Sequence, residues 1–234
     1  MLVWIAPAVA AEQGDIERGR RQLMETLYDV VYLSNANERM VRWKVLPKVM
    51  LVNASPEEFA LTRDKIHQFS ESFGTAIAFT EDPTDAGIII FFIDSYRDVS
   101  NKYVTTIERH FGDEDFQKAL PKLLADLAVW KFPFLVEINS RGGVETATGL
   151  VFIKADGDSR VKSVSLINGL AISFGMRGNT GNYSIRNVGA SEDLTDLDNV
   201  LLKFMYLLAR PGMSWPDAKA KMDQMMDQVF GRGR

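Results

Sequence analysis

The chain has 234 residues, 46% of them hydrophobic and 25% charged, the balance of a globular protein with room for a sizeable core. Lysine and arginine are spread among a small excess of acidic residues, giving a net charge of -4, so the basic stripe that a nucleic-acid partner requires is missing. There is no cysteine, which excludes disulfides, zinc–thiolate sites and a lipid-modified N-terminal cysteine.

The first residues, "MLVWIAPAVAAEQ", run from an apolar stretch through Pro7 into small residues. That resembles the end of a secretory signal peptide, cleaved after Ala10 or Ala11, with Met1 a start placed too late. No other segment approaches the ~20 apolar residues of a membrane span. Over residues 12 to 35, Ile16, Leu23, Leu27, Val30 and Val31 recur at helical spacing and predict an amphipathic helix ended by "NAN". "MVRWKVLPKVMLV" reads as extended, with Pro47 interrupting any continuous ladder. Ser55 is placed to cap a helix with Pro56 at its first position and Glu57 and Glu58 in its first turn, running to about Phe73 and stopped by Gly74.

Residues 76 to 79 are expected as a short strand, "EDPTD" as a turn, and "AGIIIFFI" as a strand buried on both faces. Residues 96 to 130 read as two helical pieces broken around Gly112. Extended runs on either side of "RGG" predict a hairpin with strands over 134 to 139 and 148 to 154. In "ADGDSR", Asp156 to Asp158 forms a turn that caps a helix over 159 to 174, whose core residues are Val161, Val164, Ile167, Leu170, Ala171 and Phe174. A loop rich in Gly and Asn follows to residue 190. Thr195 and Asp198 then open a helix with Leu197, Leu201, Phe204 and Leu208 on one face. "RPG" ends it, and a last helix carries Met222, Met225, Met226 and Val229. The expected organisation is a signal-peptide remnant over 1–11, an N-terminal amphipathic helix over 12–37 and one domain over 38–234.

Candidate chemistry is sparse. His67 and His110 are the only histidines, and no H-x3-H spacing exists; a metal would need the fold to bring them together with Glu108. "ADGDSR" opens like a calcium loop but lacks the later glycine and the bidentate glutamate. Neither a phosphate-binding glycine loop nor a nucleophile elbow is present.

The stretch "VSLINGLAISFGMRGN", residues 164 to 179, together with the order of elements before it, resembles the N-terminal half of metzincin-type zinc peptidases. Those enzymes carry H-E-x-x-H-x-x-G on the corresponding helix. With Gly175 on the motif glycine, the first-histidine position is Asn168, the general-base position Gly169, the second-histidine position Ile172 and the third-ligand position Gly178. Every ligand is replaced, so no metal and no cofactor is expected. A closer resemblance is to domain-of-unknown-function family 2927, exported proteins of Gram-negative bacteria. Its closing motifs appear here as "SFGM", "YSIRN", "LTDLD" and "RPGM" between residues 145 and 216. Members usually keep two glutamates and a glutamine on the helix, where this chain has Asn168, Gly169 and Ile172. The same helix is also a sound core helix on its own terms.

The resemblance implies an α+β fold, metzincin-like, with a mixed twisted sheet, packed helices and an N-terminal helical extension. It implies a periplasmic or otherwise exported protein that binds a peptide or an envelope protein without catalysis, on a degenerate peptidase scaffold. A cleft lined by Asn168, Arg177, Asn179, Tyr183 and Arg186 suits hydrogen bonding to a peptide backbone or a carboxylate. The alternatives are a hydrolase with a rebuilt site and a structural envelope protein docking through its N-terminal helix.

Overall fold

The computed structural model describes residues 6–32, 39–95, 103–111, 134–141, 144–176 and 191–230. The architecture is α+β. Four strands, β1 (Lys48–Val52), β2 (Ala86–Ile93), β3 (Phe134–Arg141) and β4 (Glu145–Lys154), form one sheet in the order β1-β2-β4-β3. The first three neighbours are parallel and β3 runs antiparallel to β4. The apolar run of β2 is central because both its faces are covered. Ile88, Ile90 and Phe92 look into one core; Ile89, Phe91 and Ile93 look into the other.

The larger core lies under α2 (Pro56–Phe73) and α4 (Ser159–Ser173), and the smaller one under α3 (Val104–Phe111), which contributes Val104 and Ile107. Helix α2 begins as its sequence requires. Ser55 Oγ accepts from Glu58 N, the Glu58 carboxylate accepts from Ser55 N, and Gly74 closes the helix with φ 65°. The rest of 96–130 lies outside the described residues.

Helix α1 (Ala6–Leu27) continues into a π-helical turn, Tyr28–Tyr32; Met24, Leu27, Val30, Val31 and Tyr32 belong to the larger core. It meets α6 (Trp215–Phe230), where Arg20 pairs with Asp223 and Asp227 at 2.8 Å each. Ile16, expected on the buried stripe, is 37% exposed: it lies one turn before Arg20, where the contact with α6 begins. Val161, expected in the core of α4, is 36% exposed, because it sits in the first turn beside the capping loop.

Helix α5 (Asp196–Lys203) starts with the expected Thr195/Asp198 capping box and then widens into a π-helical turn, Phe204–Leu208. The widened turn rotates the register, so Met205 is buried while Leu208 is 38% exposed, against the α-helical spacing.

Two extended expectations change. Residues 76–79 make only a single parallel bridge, Phe79 to Val49, with bonds Val49 N to Ala78 O and Thr80 N to Val49 O at 2.9 Å. The chain has just left α2 and must turn at Asp82 into β2, so the pairing ends there. The run 40–52 is divided at Pro47, which has no N–H to give. Residues before it bridge elsewhere: Met40 N donates to Met213 O at 2.9 Å, Thr146 N to Arg42 O at 2.9 Å, and Trp43 Nε1 to Ser173 O at 2.8 Å. No described helix is long and apolar enough to cross a membrane.

Candidate functional site

Three places on this scaffold bear on function: the interior of α4, the outer edge of β3, and a crevice at the carboxyl ends of the parallel strands.

Helix α4 starts where Asp158 accepts from Val161 N at 2.8 Å. It ends at Gly175, whose φ of 102° and close approach to the carbonyl of Val41 leave no room for a side chain. Ser163 donates to Glu192 O at 3.1 Å, and the other buried polar side chains bond within the helix. Ser165 donates to Val161 O at 2.7 Å, Asn168 Nδ2 to Val164 O at 2.7 Å, and Ser173 to Gly169 O at 2.8 Å, each one turn back. Asn168 is 2% exposed, so its amide is packed inside the protein. Gly169 faces the sheet: a Cβ there would lie 2.5 Å from Val151 Cγ1, closer than any real contact. The position that the resemblance matches to the general base of zinc peptidases is therefore pressed on β4. Ile172 supplies only carbon, so these residues do not fit a zinc ion.

Arg177, Gly178, Asn179, Tyr183 and Arg186 lie outside the described residues, which leaves Asn168 as the one placed member of the expected cleft. His67 is exposed and 3.5 Å from Glu71 on the same helix, and the side chain of His110 lies outside the described residues. Among the described residues, no three His, Asp or Glu side chains converge on a point where a metal ion could sit.

The two edges of the sheet differ. The outer edge of β1 is covered by residues 78–80. Strand β3 ends the sheet on the other side, and among the described residues nothing pairs with its outer edge. Its register with β4 is regular from Phe134 to Asn139 and shifts between Asn139 and Ser140. Over those six residues, "FLVEIN", there is no proline, no lysine and no bulge, and Glu137 is the single charge among the devices that blunt an edge.

The crevice, about 480 Å³, opens where β1, β2 and β4 end, and is lined by Asn53, Ser55, Glu58, Asp94 and Lys162. Asn53 turns the chain out of β1 with φ 60° and anchors its side chain by donating to Phe92 O at 2.9 Å. Lys162, in the first turn of α4, donates to Glu58 Oε1 at 2.7 Å, with side-chain exposures of 17% and 8%. Burial pushes the Glu58 carboxyl up, but the bonds from Lys162 and Ser55 outweigh it and hold the group below its ordinary range. Asp94, at the end of β2, is exposed and has no hydrogen-bond or ion-pair partner among the described residues.

Sequence reasoning missed this crevice and also missed Arg42. The guanidinium of Arg42 is buried, donates to Trp43 O and Ala209 O at 2.7 and 2.9 Å, and lies 4.9 Å from the Tyr206 ring centre. Among the described residues it pairs with no carboxylate and its Nε has no partner, and burial pulls its pKa down. The polar residues Asn53 and Asp94 immediately after β1 and β2 were the available signal for the crevice. For Arg42, inside an apolar stretch, there was none.

No family model, no curated protein and no solved structure matches the chain.

Proposed function

We propose that the protein is an exported, non-catalytic binding protein that takes an extended peptide segment of an envelope partner along the outer edge of β3. The observation that carries this reading is the open edge itself. Among the described residues nothing pairs with that side of β3, every second residue of Phe134–Asn139 turns its backbone groups outward there, and such an edge in a stable fold is a template for strand addition. Such recognition draws its affinity from main-chain bonds and needs no acid, base or metal.

The interior of α4 supports the non-catalytic part. Its Ser165, Asn168 and Ser173 donors are taken by its own carbonyls, and the position matched to the general base is packed on Val151. A degenerate peptidase lineage, as the closing motifs suggest, would keep a peptide-binding edge after losing its metal. Docking through the N-terminal helix has less support, because the apolar residues of α1 from Met24 onward are already in the protein's own core.

The test is selection of peptides from a random library displayed on phage, using the full chain as bait. Extended sequences are expected to bind, to remain intact after long incubation and to ignore chelators. Cleavage of the selected peptides would favour the hydrolase alternative. Failure to select any peptide would remove the edge as a recognition site.

A further inference from the structure

We infer that the crevice at the carboxyl ends of β1, β2 and β4 binds a small zwitterion, a free amino acid or a short peptide, between Lys162 and Asp94. The site is independent of the β3 edge.

The crevice follows from topology. From β1 the chain passes to α2 on the face of the larger core, and from β4 to α4 on that same face. From β2, which lies between them, it reaches α3 on the opposite face. Connections leaving neighbouring strands toward opposite faces open a gap at the strand ends, the usual ligand position in parallel sheets. Asn53, Asp94 and Ala155, the residues that directly follow the three strands, all line it.

Its charges select the ligand. Glu58 is fixed by Ser55 N at 2.8 Å and in turn fixes the Lys162 ammonium at 2.7 Å. One N–H of that ammonium is spent on Glu58; the other two have no protein partner among the described residues. The Ser55 hydroxyl accepts from Glu58 N and turns its own proton to the Glu58 carboxylate, so the Lys162 ammonium is the donor left to a ligand. This side of the crevice therefore offers donors to an anionic group. Asp94, unpaired among the described residues, offers a carboxylate to a cationic one. A phosphate dianion would meet two carboxylates against one ammonium, and an apolar ligand would leave the charges without partners. A molecule carrying one ammonium and one carboxylate satisfies both sides, each through a charge-assisted hydrogen bond.

The experiment is calorimetric titration and thermal shift of the full chain with the standard amino acids and with alanine peptides of two and three residues. The length of the best series distinguishes a free amino acid from a peptide. At least one unblocked compound should bind tighter than about 10 mM and raise Tm. Acetylating its amine or amidating its carboxylate should each weaken binding about tenfold or more, the scale of one charge-assisted bond. Asp94→Asn should weaken it likewise while leaving Tm of the free protein unchanged, because Asp94 is exposed and pairs with none of the described residues. Lys162→Gln should weaken it too, and Asp94→Asn decides the matter if that variant unfolds.

The inference is overturned if no unblocked compound binds, if a blocked compound binds equally well, or if Asp94→Asn leaves affinity unchanged. It is overturned equally if inorganic phosphate binds more tightly than any zwitterion. Asp94→Asn leaves the β3 edge intact, so peptide capture there would survive failure here.

Discussion

Single residues set the limits of what α4 and the crevice can do. Gly169 lets the helix approach β4 within reach of Val151. Alanine favours a helix over glycine by ~1 kcal/mol, yet the added methyl has no room. Gly169→Ala is expected to destabilise the protein by about 1 to 3 kcal/mol in urea unfolding; a stabilised variant would contradict the packing. Glu58 is held below the ordinary carboxylate pKa, so the folded state favours its charged form. Its contribution is complete above the unfolded-state value of about 4.3 and is lost as pH falls through the lower folded value. Glu58→Gln should therefore cost about 1 to 3 kcal/mol at neutral pH, the worth of a hydrogen bond to a charged group. The deficit should shrink as the medium becomes more acid than that carboxylate range. An equal deficit at strongly acid and neutral pH would remove the Lys162 pairing as its source.

At the scale of elements, much was legible in the sequence. The capping boxes at Ser55 and Thr195, the proline at the start of α2 and the apolar run of β2 each state a local preference that the fold obeys. The π-helical turns were not legible, because nothing in 28–32 or 204–208 departs from α-helical spacing until the tertiary contacts choose the register. The crevice was hidden for a different reason: Asn53, Asp94 and Lys162 are far apart in sequence, and only strand order brings them together. Helix α4 was read correctly as a core element over almost its full length, and Leu170 is fully buried in it. Leu170→Ala should cost ~2 to 5 kcal/mol. The same helix offers zinc no ligand. Elemental analysis of protein purified without a histidine tag should find no stoichiometric zinc, and zinc lost together with peptidase activity on chelation would overturn that reading.

For the whole molecule, the proposal of an exported protein that receives a partner's chain makes two predictions. N-terminal sequencing of native protein should place its first residue near Ala11 and fractionation should find it in the periplasm; an uncleaved cytoplasmic product would refute export. The most direct test of the binding claim is amide hydrogen exchange, read residue by residue by NMR, across 134–141 with and without a selected peptide. In an antiparallel pair alternate residues turn their N–H groups to opposite sides of the strand. Strand addition therefore predicts that every second amide of Phe134–Asn139 exchanges freely in the unbound protein and becomes protected in the complex, with β1 and β2 unchanged. Tight binding that leaves those amides unprotected, or protects a different surface, would contradict recognition along β3.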